Sequence, residues 1–203
     1  MFPYKKNSPN WTNQELINEL NIFLKIYKKR PIKFNKHGMM FPHMFAVFFI
    51  LRKLQPEFII ESGVFKGQST WLIESSLPEA KILSIDINLS QREYISEKAE
   101  YSNLDFKYHT FVNIPENTLV FFDDHQSHLE RMKECKFFNI KHIIFEDNYP
   151  SKRGDFPTIR HSYLNEGFDH PLTFLNIIKT TSLLLTMFFK KIIYSNFYIT
   201  LDK

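Results

Sequence analysis

The residues best suited to chemistry lie in short clusters, each of which follows a run of apolar residues. The first cluster, Glu61 to Ser69, carries an acid, two glycines and a hydroxyl residue. The single acid Asp86 follows the next apolar run, and two later runs end in Asp123–Asp124 and in Glu146–Asp147. Carboxylates at such positions can bind ligand hydroxyl groups or a divalent cation.

Gly63 and Gly67 stand out because the 203-residue chain contains only 5 glycines. Gly63 allows a tight turn, and Gly67 lets the backbone approach a ligand at the start of the next helix. Val64 lies inside this turn, and Ser69 supplies a hydroxyl close to free backbone N–H groups. Between a strand and a helix, with Glu61 before it, this spacing predicts a turn that holds a nucleoside-type ligand.

Asp86 ends the second predicted strand, about 20 residues after the glycines. A carboxylate at this position of a parallel sheet binds the hydroxyl groups of a ribose. The alternative is a residue that caps a helix or lies in a solvated loop. The preceding glycine turn favours the ribose-binding role.

The acids after the fourth and fifth predicted strands indicate a cation site. If the two strands are neighbours, their ends lie about 5 Å apart, so the carboxylates of Asp123 and Asp147 would repel each other unless a cation lay between them. Asn148 adds an amide oxygen, and an oxygen-only set suits magnesium, calcium or manganese better than zinc. The alternative is that these acids cap helices and pair with Lys or Arg. His125, at the rim of the same pocket, is a candidate catalytic base.

The elements that position these residues alternate between short apolar strands and helices, which is typical of an α/β fold with a mostly parallel, doubly wound, Rossmann-like sheet and helices on both faces. We expect an N-terminal helical cap over residues 1–55 and a Rossmann-like domain over 56–203. The predicted helices are 12–27, 42–54, 68–76, 90–101 and 127–137, and the predicted strands are 58–60, 82–85, 106–110, 119–122 and 142–145.

The C-terminal part is strongly apolar between residues 172 and 189. A membrane anchor would need such a segment, but Lys179 near its centre would cost about 3 kcal/mol in a bilayer. We therefore expect a packed helix there, followed by a strand over 192–201.

Composition and charge narrow the range of partners. The net charge of +4 is mild, so the lysine clusters are interpreted as solvated helix ends and no nucleic-acid partner is expected. The single cysteine, Cys135, excludes an intrachain disulfide and is expected to be a buried thiol. The N-terminus lacks the order of a signal peptide, so we expect a cytoplasmic protein. A homo-oligomer stays open, because the apolar first 55 residues could cover the sheet or a partner.

The pattern Glu61-x-Gly63-x-x-x-Gly67-x-Ser69, followed by Asp86, resembles the nucleoside-binding half of class I S-adenosylmethionine-dependent methyltransferases. Asp123, followed by Asp147–Asn148, resembles the magnesium-binding pattern of the catechol O-methyltransferase type. Relatives of the cephalosporin-hydroxylase kind also place acids after these two strands. The resemblance covers about residues 40 to 150.

The resemblance implies an O-methyltransferase that uses S-adenosylmethionine and Mg²⁺ to methylate a small hydroxylated molecule, such as a sugar or a phenol. It implies that Glu61, Gly63 and Gly67 line the cofactor, that Asp86 binds its ribose, and that Asp123, Asp147 and Asn148 hold the cation. Val64 and Ser69 complete the cofactor site.

The sequence departs from the resemblance in three places: the turn lacks a third glycine, the segment after the fifth strand is poorly recognisable, and a lysine is missing after Asp123. The catechol branch has a lysine as its base three positions after the first metal-binding acid, and this chain has Gln126 there. His125 is the substitute base that we consider. The loss of the lysine also keeps open a non-catalytic nucleoside-binding module. A phosphoryl-transfer or hydrolytic enzyme ranks last, because no Walker-type lysine turn is present.

Overall fold

The structure is a computed structural model that describes residues 11–147, residue 158 and residues 198–200. Asn148 and the predicted helix over 172–189 lie outside the described residues, and of the predicted strand over 192–201 only Tyr198–Thr200 is described. Among the described residues, no helix is both long and apolar enough to cross a membrane.

Among the described residues, six strands form one sheet in the order β3-β2-β1-β4-β5-β6. Strands β1 to β5 pair in parallel, and β6 pairs antiparallel with β5. The strand order reverses between β1 and β4, which is the switch point where doubly wound sheets bind ligands. The strands are β1 (Phe58–Ser62), β2 (Lys81–Ile85), β3 (Ala99–Ser102), β4 (Thr118–Phe122), β5 (His142–Phe145) and β6 (Tyr198–Thr200).

Helices cover both faces of this sheet. Within the part of the chain that the structure describes, the α-helices are α1 (Asn13–Tyr27), α2 (Phe41–Leu54), α3 (Gln68–Ser76) and α4 (His128–Phe137). Alternate residues of β1 point to opposite faces, so Ile59 packs with α1, α2 and α3, whereas Ile60 packs with α4. The predicted Rossmann-like fold with helices on both faces is confirmed.

The N-terminal helices form for two different reasons. The first, α1, begins with a capping box, in which the Thr12 hydroxyl accepts from the Glu15 backbone and the Glu15 carboxylate accepts from the Thr12 backbone. The second, α2, is stabilised by burial, since every residue from Met44 to Leu51 is buried. A helix that is apolar all round packs between layers, and α2 lies in the same core as the α3 face of the sheet.

Two predicted elements are wrong. Residues 90–101 were expected to form a helix, but only a 3₁₀ turn at Leu89–Gln91 is present, and the segment ends in strand β3. Residues 106–110 were expected to form the third strand, but Phe106–Tyr108 is a 3₁₀ turn. The Phe106 side chain is fully buried in the core on the α4 face of the sheet. The apolar character of this segment therefore comes from one buried side chain and does not indicate a strand.

Candidate functional site

The turn between β1 and α3 depends on both of its glycines. Gly63 and Gly67 have φ angles of 100° and 88°, which L-residues with side chains rarely adopt. A Cβ atom at Gly63 would lie 2.1 Å from the Asp123 carbonyl oxygen, and one at Gly67 would lie 2.4 Å from the Tyr94 carbonyl oxygen. The glycines therefore let two backbone segments pack directly against the turn.

Asp86 fixes the shape of this turn. Its Oδ2 atom accepts hydrogen bonds from the backbone N–H groups of Val64 and Phe65, at 2.8 and 2.9 Å. Its Oδ1 atom accepts the N–H of Asn88 at 2.8 Å. A carboxylate offers about four lone-pair positions, so Oδ1 keeps capacity for one further donor, such as a ribose hydroxyl, while the turn stays bound.

Glu61 is enclosed beneath the turn. The strand β1 extends to Ser62, two residues beyond its predicted end, so Glu61 lies within the sheet and is fully buried. Its Oε2 atom accepts from the hydroxyls of Thr70 and Ser84, each at 2.6 Å, whereas its Oε1 atom has no hydrogen-bond partner among the described residues. Burial raises the pKa of Glu61, and neighbouring hydroxyl groups act in the opposite direction.

The two acids after β4 have different surroundings. Asp124 accepts from the Ser62 hydroxyl at 2.7 Å and from Arg131 Nε at 2.9 Å. Arg131 is buried and also contacts Asp105 and Glu134. Asp124 is therefore bound in an ion-pair network, which was the structural alternative considered for these acids.

Asp123 faces the carboxylates that follow β5. Burial raises its pKa well above the ordinary value, and the negative charges of Glu146 and Asp147 raise it further. Asp123, His125 and Asp147 each offer one ligand atom, and these atoms all lie within 4.8 Å of one another. The arrangement brings together two of the three predicted metal ligands and the predicted base, and it can hold one cation.

His43 is a site residue that the sequence did not reveal. Its Nδ1 atom lies 2.5 Å from Glu146 Oε1, across 103 positions of the chain. Burial lowers the pKa of His43, and the nearby Asp147 charge raises it. His43 lies in an apolar helix, where a lone histidine has no distinguishing pattern, so only the packing of α2 beside the end of β5 places it here.

Other residues singled out in the sequence lie in the core or at the turn. Val64 and Ser69 are buried at the turn and in the first turn of α3, respectively. His128, three residues after His125, is buried and stacks on Phe145 with ring centroids 3.9 Å apart. Cys135 is a buried free thiol, as predicted.

Comparison with known proteins gives resemblance at the level of structure only. No protein-family model matches the sequence, and no curated protein matches it. Among solved structures, the Podospora anserina methyltransferase PaMTH1 bound to S-adenosylhomocysteine is 12% identical, with a TM-score of 0.47 over 70% of this chain and 73% of that chain. A magnesium and S-adenosylmethionine form of CmcI is 16% identical, with a TM-score of 0.45 over 70% and 68%. The O-methyltransferase TomG from Streptomyces achromogenes, in complex with S-adenosylmethionine, is 14% identical, with a TM-score of 0.47 over 66% of each chain.

Proposed function

We propose that this chain is an S-adenosylmethionine-dependent O-methyltransferase, assisted by a divalent cation, that acts on a small hydroxylated molecule such as a sugar or a phenol. One observation carries the proposal. At the switch point of the sheet, a glycine turn that closes onto Asp86 adjoins a group of carboxylates, Glu61, Asp123, Glu146 and Asp147, whose charges act on one another.

The charge at this edge favours a cationic cofactor. A dinucleotide or nucleoside triphosphate would place its phosphates beside these carboxylates. Negative groups at such short distances repel each other. A sulfonium cofactor carries positive charge and needs no phosphate cradle. The buried Glu61 Oε1 atom, which has no hydrogen-bond partner among the described residues, offers a further hydrogen-bond acceptor beneath the same turn.

The residues of the turn fit the parts of that cofactor. Gly63, Val64 and Gly67 would supply backbone, Ser69 a hydroxyl at the start of α3, and Asp86 the remaining lone pair of Oδ1 for the ribose. When bound, the cofactor supplies a methyl group, and the C–S bond electrons stay on sulfur as the acceptor oxygen bonds to carbon.

The cation would be held by Asp123 and Asp147, with Asn148 as the third ligand that the resemblance implies. A cation there would lower the pKa of the acceptor hydroxyl. The residues of the chain would then orient that hydroxyl and receive its proton. Two imidazoles border the cluster, those of His43 and of His125, the base predicted from the sequence.

Calorimetric titration tests the proposal. S-adenosylmethionine should bind the wild-type protein, and methyl transfer to a panel of catechols and sugars should require Mg²⁺ or Mn²⁺. Asp123→Asn should keep cofactor binding and lose methyl transfer, whereas Glu79→Gln, which removes an exposed acid in the loop before β2, should keep both. Absence of cofactor binding with and without cation would overturn the proposal, and full activity of Asp123→Asn would overturn the role of the cation.

A second candidate is a nucleoside-binding module without turnover, which the glutamine at position 126 favours. Gln126 is exposed, and its backbone N–H donates to Asp124 Oδ1, so it supplies no basic group. This alternative expects cofactor binding with the same affinity but no methyl transfer to any acceptor. The panel experiment therefore separates the two functions.

A further inference from the structure

The side chains around the proposed cation site are engaged in different ways. Asp124 is bound by Ser62 and Arg131, and Glu146 contacts His43 at 2.5 Å. The three side chains that bring potential ligand atoms within 4.8 Å of one another are those of Asp123, His125 and Asp147. The donor set defined by the described residues therefore contains one imidazole and two carboxylates.

The distance between two of these donors matches that between adjacent ligands of one ion. His125 Nε2 lies 3.0 Å from Asp147 Oδ2. Two atoms bound at about 2.1 Å to one ion, at right angles to each other, lie about 3 Å apart. The imidazole and the carboxylate are thus already spaced for a shared cation.

The backbone after β4 produces this arrangement. His125 has a φ of 56°, a left-handed conformation that is uncommon for residues other than glycine but enriched for His, Asn and Asp. His125 comes directly after Asp124, whose side chain contacts Arg131. The side chain of His125 contacts Asp147 instead. The left-handed conformation therefore allows two consecutive residues to face different partners, Asp124 the ion-pair network and His125 the proposed cation site.

We infer that His125 is a ligand of the cation and that the site prefers a divalent ion of the manganese, iron, cobalt or zinc class over magnesium. This inference rests on the cation site of the proposed function. Magnesium prefers oxygen ligands only, whereas imidazole suits the transition ions. It replaces both the oxygen-only ligand set and the base role predicted for His125, because a ring nitrogen bound to a metal cannot accept a proton.

Pulsed electron paramagnetic resonance of Mn²⁺ bound to the full chain provides the test. The wild-type protein should show coupling to an imidazole nitrogen, and His125→Asn should lose it, since Asn tolerates the left-handed conformation but offers an oxygen ligand. The preference for Mn²⁺ over Mg²⁺ in competition titrations should fall by about tenfold or more in this variant. His142→Gln, at the opposite end of β5, should change neither property.

Bound Mn²⁺ without nitrogen coupling in the wild type, or coupling that persists in His125→Asn, would overturn the inference and leave the cation site standing. Failure of both Mn²⁺ and Mg²⁺ to bind the wild type would overturn the inference together with the cation part of the proposed function. Calorimetry with S-adenosylmethionine alone distinguishes that result from failure of the cofactor assignment.

Discussion

The Nδ1 atom of His43 lies 2.5 Å from Oε1 of Glu146 and joins helix α2 to the end of strand β5. Both side chains are largely shielded from water, with 35% and 7% of their surfaces exposed. A hydrogen bond to a charged group in such surroundings contributes about 1.5 to 3 kcal/mol. We therefore expect a coupling energy in this range from a double-mutant cycle of His43→Ala and Glu146→Ala, measured by urea unfolding.

The control for this cycle is the exposed pair Glu130 and Lys133, which lie one helical turn apart with more than half of each side chain exposed. Ion pairs of this kind contribute about 0.5 kcal/mol or less. Equal coupling energies in the two cycles would contradict the importance of the His43–Glu146 contact.

Gly67→Ala should destabilise the protein strongly. The substitution combines a left-handed backbone with a Cβ atom 2.4 Å from the Tyr94 carbonyl oxygen, and the two effects together cost about 2 to 5 kcal/mol. Gly38→Ala is the matched control, because the atoms nearest its Cβ belong to the Asn35 side chain, which can rotate away. Thermal or urea unfolding should show a loss for Gly67→Ala at least twice that for Gly38→Ala.

Glu61→Gln should change how stability depends on pH. Burial raises the pKa of Glu61 in the folded protein above its ordinary value, so between the unfolded and the folded pKa the folded state holds a proton that the unfolded state has released. The contribution of Glu61 to the free energy of unfolding is therefore fully present below about pH 4.5, and it is lost as the pH rises through the folded pKa. The Gln variant lacks this loss, and its stability relative to wild type should increase from pH 5 to pH 8.

Glu79→Gln is the comparison for this measurement, since Glu79 is exposed. Its stability relative to wild type should be the same at both values of pH. A pH-independent difference between Glu61→Gln and wild type would show that Glu61 is not held protonated in the fold.

Asp86 should act both on the turn and on the ribose. In the wild type, S-adenosylhomocysteine should bind more tightly than an analogue that lacks one ribose hydroxyl, because Asp86 Oδ1 has capacity for one further donor. Asp86→Ala should weaken both ligands, since Val64 and Phe65 lose their acceptor, and should remove the difference between them. Calorimetry of the two ligands checks this, and a difference that survives in Asp86→Ala would exclude a ribose contact.

The parts of the fold with strong local patterns could be predicted from the sequence. Helix α3 and strand β5 have their predicted bounds, because a glycine turn precedes α3 and a short apolar run forms β5. Residues 90–101 gave a wrong prediction because contacts distant in sequence override their helical composition. The backbone N–H groups of Glu93 and Tyr94 donate to the Lys66 carbonyl in the glycine turn.

Only part of the candidate site could be predicted from the sequence. The carboxyl ends of parallel strands share one edge, so the proximity of Asp123 and Asp147 follows from chain order and strand recognition. Asp124 is drawn out of the cation site by its ion pair with Arg131, and His43 lies beside Glu146 because of the packing of α2. Neither relationship has a local signature, since each joins a single residue to an element elsewhere in the chain.

The absence of a side chain at Gly63 brings the turn to within direct contact of the Asp123 backbone. The turn and the loop that carries the proposed cation ligands therefore form one mechanical unit, and a ligand that orders one of them reduces the entropy that the other has left to lose. We expect cation and cofactor to bind cooperatively, with each raising the affinity of the other by the same factor, as thermodynamic linkage requires.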